Sequence, residues 1–370
     1  MEAKFICPQC GATYPANEPL WRCECGSYLD LDYHPVFKKE SVLPVNSVWR
    51  YSSVLPLDNL ENAVSFNEGM TPLTDLNVSG VKMLAKLDYM MPSGSFKDRG
   101  ASLMISRCKE LGIEEIVEDS SGNSACAISA YCASAGIKAN IYMPAGNSSA
   151  KSVQAKAYGA DLHLIPGNRI DVADAAVAAA ENTYYAAHAW NPYFLHGTKT
   201  GIYEIVEQLG WSAPDYLFIP VGSGSQIIGA YLGIQEMIAS GIIKSTPRLM
   251  AVQSDKCSPL KDFIEGRETV ITPGNPTIAE GISIHKPVRL KQIIEVVRKS
   301  GGDFITVSDE EIIESQKLCS RQGIYIEPTS ASAVAAAVQC APRFRKEDKV
   351  VVSLTGSGLK STSAIEKLIS

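Results

Sequence analysis

From about Val81 onward, short apolar or β-branched runs alternate with alanine-rich stretches of helical composition. Near-continuous apolar strands separated by helices are typical of parallel sheets that helices cover on both faces. In open sheets of this kind, ligands bind beyond the carboxyl ends of the strands. We therefore predict an α/β fold, with strands at 81–87, 115–117, 139–143, 161–165, 216–221, 248–252 and 349–354, and helices at 101–111, 124–135, 172–182, 225–240, 309–321 and 330–340.

Composition and charge exclude several functional classes. The 370 residues carry a net charge of −6 and contain no basic run, so the chain lacks the cations that nucleic-acid binding requires. It has no apolar stretch long enough to span a bilayer, and residues 1–10 lack the apolar core of a secretory signal. We expect a cytoplasmic protein that binds neither nucleic acid nor membranes.

The first 25 residues hold four of the ten cysteines, in the pattern C-x2-C-G followed by C-x-C-G. A glycine after each pair lets the chain turn so that backbone N–H groups face two thiolates, as in a zinc knuckle. Four cysteine ligands would close the coordination sphere, which indicates structural and not catalytic zinc. Because C-x-C is tighter than the usual spacing, a ribbon without metal remains the alternative. We predict a zinc-ribbon-like segment at 1–34, with Cys7, Cys10, Cys23 and Cys25 as ligands, and a main body at 35–370.

Lys97 lies in a loop of small residues, 93–100 (SGSFKDRG), that leads into the first predicted helix. The positive end of the helix dipole disfavours a cation at this place. The same placement lowers the pKa of a lysine, which suits an amine that must act as a nucleophile. A solvated surface lysine is the alternative. The small neighbours favour the functional interpretation, because they leave room for a flat ligand.

Two further loops lie between a strand and a helix. Residues 120–124 (SSGNS) would offer N–H groups and hydroxyls to a carboxylate, although Asn123 or Ser124 as an ordinary helix cap is the alternative. Residues 222–226 (GSGSQ) have the composition of a phosphate-binding loop. Because Ile227 replaces the third glycine of G-x-G-x-x-G, this loop does not indicate a dinucleotide site or a dehydrogenase.

A fourth loop, 355–360 (TGSGLK), follows the last apolar strand. A hydroxyl held there can form a hydrogen bond with a ring nitrogen. The alternative is that the loop is only a tight turn.

With all four loops considered, the chain resembles the threonine synthase branch of the fold-type-II pyridoxal-phosphate enzymes, from Asn67 to Lys360. The resemblance rests on six motifs in the family order: 68–73 (EGMTPL), SFKDRG, SGNS, the 222–226 loop, 327–332 (EPTSAS) and TGSGLK.

The resemblance implies two parallel-rich α/β/α subdomains with the cofactor in the cleft between them, and a mobile small subdomain at about 100–195 inserted in the large one. It implies that Lys97 forms the Schiff base with pyridoxal phosphate and removes the α-proton of the substrate. The other residues it implies are Asn123 at the phenolic oxygen, Gly222, Ser223, Gly224, Ser225 and Gln226 at the phosphate, Thr355 at the pyridine nitrogen, and Ser121, Gly122 and Ser124 at the substrate carboxylate and nearby groups.

One segment departs from the family pattern. Threonine synthases resemble one another in N-S-x-N-P-x-R-x-x-G-x-K-T, whose Asn, Ser and Arg help to hold the substrate phosphate. This chain has His188, Ala189 and Phe194 at those three places. Because a phenyl ring replaces a bidentate guanidinium there, we hypothesise that the leaving group is not a phosphate or is held differently. His188 and Phe194 are then candidate substrate residues, and His188 and His196 are candidates for acid–base work, although such histidines are more often structural.

Three interpretations therefore remain open. The first is a threonine synthase-like enzyme that eliminates or replaces a group at Cβ or Cγ of a small amino acid. The second is a serine/threonine dehydratase-like enzyme, or one that replaces the phosphate of phosphoserine as cysteate or cysteine synthases do; residues 277–282 (TIAEGI) resemble the dehydratases. The third is a non-catalytic binding protein on the same fold. The family tendency implies a homodimer.

Overall fold

The computed structural model describes residues 3–120, 122–145, 150–167, 169–181, 183–269 and 276–369. Its strands are β1 (Lys4–Ile6), β2 (Thr13–Pro15), β3 (Asp30–Asp32), β4 (Leu73–Val78), β5 (Val81–Lys86), β6 (Glu115–Glu118), β7 (Lys138–Pro144), β8 (Asp161–Ile165), β9 (Tyr184–Tyr185), β10 (Tyr216–Pro220), β11 (Arg248–Ser254), β12 (Asp303–Val307) and β13 (Val350–Ser353). Its α-helices are α1 (Lys97–Glu110), α2 (Asn123–Ala135), α3 (Ala150–Ala157), α4 (Arg169–Ala179), α5 (Pro192–Thr198), α6 (Thr200–Gln208), α7 (Ser225–Ala239), α8 (Pro259–Ile264), α9 (Leu290–Lys299), α10 (Asp309–Ser320), α11 (Pro328–Gln339) and α12 (Thr362–Ile369). Short 3-10 turns lie at Lys39–Ser41, Val48–Val54, Leu60–Asn62, Asp88–Met90, Glu280–Ile282, Ala341–Arg343 and Gly358–Ser361. Within these described ranges, no helix is long and apolar enough to cross a membrane.

The chain forms two compact units, each built from two separate stretches of sequence. The first unit comprises Met1–Gly69 and Lys97–Thr200, and the second comprises Met70–Phe96 and Gly201–Ser370. The segment 100–195, which we predicted as an inserted subdomain, falls within the first unit. The first unit also includes the cysteine-rich segment and residues 35–69.

The first unit contains two sheets. Strands β2, β1 and β3 form a small antiparallel sheet in that order, and β8, β7, β6 and β9 form a parallel sheet. Helix α2 follows β6 and is buried over most of its length. It ends at Gly136, which adopts a left-handed φ of 70° that other residues rarely tolerate.

The second unit is built on a six-stranded sheet in the order β12, β11, β10, β13, β5 and β4. All neighbouring strands are parallel except β4, which pairs antiparallel with β5. Strands β10 and β13 lie in the middle of the sheet and are buried at every position. This burial on both faces explains their unbroken apolar runs and confirms the predicted fold class.

The predicted elements are present within the described residues, which exclude residue 182, the predicted end of one helix. The helices that follow the Lys97 and Gly122 loops begin earlier than we expected. Helix α1 begins at Lys97 and not at Ala101, and α2 begins at Asn123 and not at Ser124. The cap of α2 is Gly122, which has no capping side chain. The alternative that Asn123 or Ser124 is an ordinary cap is therefore wrong.

Candidate active site

Lys97 is the first residue of α1, and its amine lies over an aromatic ring. The Nζ atom is 5.5 Å from the centroid of the Phe194 ring, and both residues belong to the first unit. Phe194 is fully buried on α5. A Cβ atom at Gly100 would lie 2.5 Å from that ring, so the absence of a side chain at Gly100 allows the phenyl group to pack against α1.

The loop before α2 places its polar groups differently from the way its sequence suggested. The backbone N–H of Gly122 donates to the Ser120 hydroxyl over 3.2 Å. The Ser124 hydroxyl is buried and donates to Oε1 of Glu118 over 2.9 Å. Asn123 is half-buried at the first position of the helix, and Ser121 lies outside the described residues.

Glu118 connects this loop to the segment that departs from the family pattern. It is the last residue of β6 and is fully buried. Its Oε1 atom lies 2.9 Å from Nδ1 of His188, and its Oε2 atom accepts the backbone N–H of His188 over 3.2 Å. The His188 ring in turn packs edge-on against Phe194, with 5.6 Å between centroids. Sequence analysis did not identify Glu118.

His196 occupies a different setting. It is buried, its Nδ1 atom lies 3.1 Å from Nζ of Lys199, and its ring packs edge-on against Tyr33. These contacts are of the structural kind that we considered as the alternative for this histidine.

The second unit contains the predicted phosphate loop directly before α7. Gly224 has a φ of +85°, and a Cβ atom there would lie 2.3 Å from the Ile293 side chain. A Cβ atom at Gly222 would lie 2.6 Å from the Gly281 carbonyl oxygen. Both glycines are therefore required by the local packing.

Gln226, the last residue of the predicted phosphate loop, supplies polar groups in the second unit. Gln226 donates to the Ser353 hydroxyl over 2.7 Å. Its Oε1 atom is buried and has no hydrogen-bond partner among the residues that the structure describes. Because buried polar atoms are rarely left unpaired, this amide oxygen is suited to a partner of another kind, such as a ligand or a water molecule.

Thr355 follows β13 and is almost fully buried, also in the second unit. Its hydroxyl lies 3.0 Å from the Ser330 hydroxyl, and its carbonyl oxygen accepts the N–H of Phe96. Ser330 also accepts the N–H of Gly356 over 2.8 Å. Ser330 lies in the EPTSAS motif, to which we had assigned no role, and here it fixes the position of the Thr355 hydroxyl.

The four N-terminal cysteines come together as predicted. Their sulfur atoms all lie within 4.8 Å of one another, with Cys7 and Cys25 3.6 Å apart and Cys10 and Cys23 3.5 Å apart. A tetrahedral zinc–thiolate site with Zn–S bonds of about 2.3 Å requires sulfur atoms about 3.8 Å apart. The arrangement of the thiols therefore fits one zinc ion.

The local environment also favours the ionised form of two of these thiols. Burial raises the pKa of Cys7, but backbone N–H groups of Cys10 and Gln9 more than compensate and lower it to about 6. The Tyr14 hydroxyl, 3.1 Å from the sulfur of Cys23, lowers the pKa of that thiol. Thiolates are the form that binds a metal ion.

Comparison with known proteins identifies the family of this chain. The family model described as pyridoxal-phosphate dependent enzyme matches residues 64–356. Threonine synthase of Methanocaldococcus jannaschii is 36% identical over 97% of this chain and 93% of its own length. Threonine synthase of Methanosarcina acetivorans is 34% identical over 97% of this chain and 92% of its own length.

Solved structures show the same fold. A maize serine racemase superposes with a TM-score of 0.68 at 23% identity, covering 81% of this chain and 92% of that chain. A fungal L-serine ammonia-lyase from Rhizomucor miehei gives a TM-score of 0.71 at 21% identity, covering 82% of this chain and 98% of that chain. The extent of the family match and the identity to the curated relatives show that this chain belongs to the pyridoxal-phosphate-dependent enzymes and, within them, is threonine synthase-like.

Proposed function

We propose that this enzyme eliminates an oxygen-linked group from Cβ or Cγ of a small amino acid, and that the group is not a phosphate held by an arginine. The arrangement around Phe194 carries this proposal. Phe194 replaces the family's arginine and is buried against Gly100, while His188 is bonded to the buried Glu118. The Phe194 ring offers a phosphate dianion neither a charge nor a hydrogen-bond donor, whereas an arginine at that place would offer a bidentate pair of donors.

The residues present fit pyridoxal phosphate. Gly222 and Gly224 bring backbone close to other groups where no Cβ atom would fit, and α7 begins directly after them. The N-terminus of a helix preceded by such a loop binds phosphate through its N–H groups. In the proposal, Gly222, Ser223, Gly224, Ser225 and Gln226 hold the cofactor phosphate.

Two polar side chains are assigned to the cofactor ring. Asn123 would contact the phenolic oxygen, and Thr355 would contact the pyridine nitrogen. The Thr355 hydroxyl is neutral and is fixed by Ser330, so it would not hold a proton on that nitrogen. A neutral ring is a weaker electron sink, which suits elimination better than transamination.

When bound, pyridoxal phosphate withdraws electrons from Cα of the amino acid and so makes its α-proton acidic. Lys97 is assigned to take that proton at Nζ, since it is half-buried at the first turn of α1. Gly122, Ser124 and, outside the described residues, Ser121 are assigned to the substrate carboxylate. In this structure the Gly122 N–H donates to Ser120 and the Ser124 hydroxyl donates to Glu118, so Gly122 contributes the turn and the backbone N–H of Ser124 is the donor for that carboxylate.

Threonine synthase activity is the second candidate. It is favoured by the 36% identity to a threonine synthase over nearly the whole chain.

We also propose four properties of the protein outside this chemistry. They are one structural zinc ion at Cys7, Cys10, Cys23 and Cys25, a homodimer, a cytoplasmic location, and a mobile small subdomain at about 100–195. The geometry of the thiols supports the zinc site, and the family tendency supports the dimer.

A panel of serine, threonine, homoserine, phosphoserine and phosphohomoserine tests the proposal. We expect 2-oxo acid and ammonia from a hydroxyl amino acid, and little threonine from phosphohomoserine. Efficient threonine formation would instead establish the second candidate. Lys97→Arg, which keeps the charge, is the control and should abolish turnover. A chain that acquires no visible absorbance with pyridoxal phosphate, and no borohydride-dependent label on Lys97, would be a binding protein.

A further inference from the structure

We propose that Glu118 and His188 form a carboxylate–imidazole pair in which Glu118 positions the ring and His188 donates a proton from Nε2 to the leaving oxygen of the substrate. This inference rests on the proposed function and specifies how that site handles its leaving group. All the residues that carry it belong to the first unit.

The burial of Glu118 requires strong partners. Its side chain is fully buried, and a carboxylate in that setting is stable only when it is hydrogen-bonded or paired. It accepts hydrogen bonds from the Ser124 hydroxyl and from two nitrogens of His188, the backbone N–H and the ring Nδ1. The two contacts with His188 fix both the main chain and the ring of this residue.

This arrangement determines which ring nitrogen carries a proton toward Glu118. An ionised carboxylate only accepts hydrogen bonds, so Nδ1 of His188 must be the protonated donor. The Nε2 atom lies on the opposite side of the ring. The His188 side chain is 12% exposed, against 0% for Glu118, so the accessible part of the pair is the imidazole.

The imidazole and the Lys97 amine lie against the same phenyl ring. The Phe194 centroid is 5.6 Å from the His188 ring centroid and 5.5 Å from Nζ of Lys97. Glu118 is the last residue of β6, and ligands of such parallel sheets bind beyond the carboxyl ends of the strands. The pair is therefore located where it can serve the same substrate as Lys97.

The proton transfer balances the elimination. As the carbon–oxygen bond breaks, its electron pair goes to the oxygen, and that oxygen forms a new bond to the proton released by Nε2 of the imidazolium. For a hydroxyl substrate the product is water. The neutral imidazole keeps the proton on its Nδ1, hydrogen-bonded to Glu118, and its Nε2 regains a proton from solvent. Lys97 returns the α-proton to solvent. The carboxylate stabilises the imidazolium without being protonated itself.

The kinetic test compares an oxygen leaving group with one that needs no proton. Serine loses hydroxide, which requires an acid, whereas β-chloroalanine loses chloride, which does not. We expect His188→Gln to lower the ratio of kcat/KM for serine to that for β-chloroalanine by at least about 100-fold. Glu118→Gln should lower the same ratio, and His163→Gln, a histidine on β8 bonded to Asn140, should leave it unchanged. A fall that is equal for both substrates indicates a structural role and overturns the inference.

A second test does not depend on the cofactor. The chain has five histidines, so the ¹⁵N signals of His188 in the cofactor-free protein are those missing in His188→Gln. We expect a protonated Nδ1 whose signal shifts in Glu118→Gln while the other histidines are unaffected. A His188 that carries its proton on Nε2 alone would overturn the inference. A failure of the proposed function is distinguishable, because the wild-type protein would then turn over neither amino acid.

Discussion

A buried ion pair in the second unit gives a quantitative test of how this sheet is held together. Lys86, at the end of β5, and Glu204, on α6, are joined by a 2.7 Å contact and are almost completely buried. The Lys86 ammonium also donates to the Thr71 carbonyl oxygen over 2.7 Å and to Gln208 over 2.9 Å. These three acceptors use all three of its N–H groups.

Removing one partner should cost more than removing both. Lys86→Met leaves the Glu204 carboxylate buried without its cation, and such a change typically costs about 3–5 kcal/mol. Glu204→Gln leaves the ammonium among neutral acceptors, which should cost a similar amount for the same reason. In the double variant Lys86→Met/Glu204→Gln neither partner is a buried charge, so we expect it to be more stable than either single variant.

Urea unfolding of the cofactor-free proteins at pH 7 measures these differences. The exposed pair Lys138–Glu115 supplies a matched control, because its partners are 57% and 44% exposed and Lys138→Met should cost less than about 1 kcal/mol. An unchanged slope with denaturant would show that the unfolded states remain comparable. The reasoning is refuted if Lys86→Met is no more destabilising than Lys138→Met, or if the two single costs add in the double variant.

Four further changes follow from the same structure. Burial raises the pKa of Glu68 above its usual value, so its contribution to folding is present at acidic pH and is lost as the pH rises through the folded-state pKa. Glu68→Gln should therefore gain thermal stability relative to the wild type between pH 4 and pH 8. A stability difference that does not depend on pH would contradict this. Gly224→Ala should weaken pyridoxal phosphate binding at least about tenfold, as measured by absorbance titration, because its Cβ atom would displace Ile293. Gly241→Ala is the control: Gly241 has a φ of +72° and no atom lies within 4 Å of a Cβ built there. This variant carries the backbone strain alone and should bind the cofactor normally. Gly100→Ala should destabilise the protein by about 1–3 kcal/mol, because its Cβ atom would overpack against Phe194. Phe194→Leu should relieve part of that cost in the double variant. If the two costs add, the Gly100–Phe194 contact is not the cause of the destabilisation. Metal analysis should find one zinc ion per chain. A chelator or Cys10→Ser should remove the zinc and lower the thermal stability, whereas Cys108→Ala should retain the zinc. A wild-type protein that is stable without metal would refute the zinc site.

The fold was largely predictable, because parallel strands buried on both faces must be apolar along their whole length. Strands β10 and β13 show this pattern, and both were predicted within one or two residues. The start of α1 was placed four residues late, since the glycine at position 100 resembles a loop residue in sequence. A glycine is needed at position 100 because the Phe194 ring packs against it. Phe194 lies 94 positions away in the chain, so no local pattern can reveal this contact.

The polar partners of the site were harder to predict than its motifs. Glu118 has the sequence setting of a surface residue at a strand end, yet its partner His188 lies 70 residues later. Ser330 supports Thr355 across 25 residues in the same way. One signal was available for Glu118, because it directly follows the apolar residues Ile116 and Val117, and all three are buried. An acidic residue that extends such a run should be examined for a buried partner.

The departure from the threonine synthase pattern is a property of a packed group and not of single positions. Glu118 accepts hydrogen bonds from Ser124, in the first turn of α2, and from His188. One carboxylate therefore supports both the loop that we propose for the substrate carboxylate and the proposed leaving-group residue. Replacing His188 by the family's asparagine would remove the ring partner of a fully buried charge. Replacing Phe194 by arginine would put a cation where Gly100 accommodates a flat ring. Because each change removes support from its neighbours, recognition of a phosphate at this place requires that Glu118, His188 and Phe194 change together.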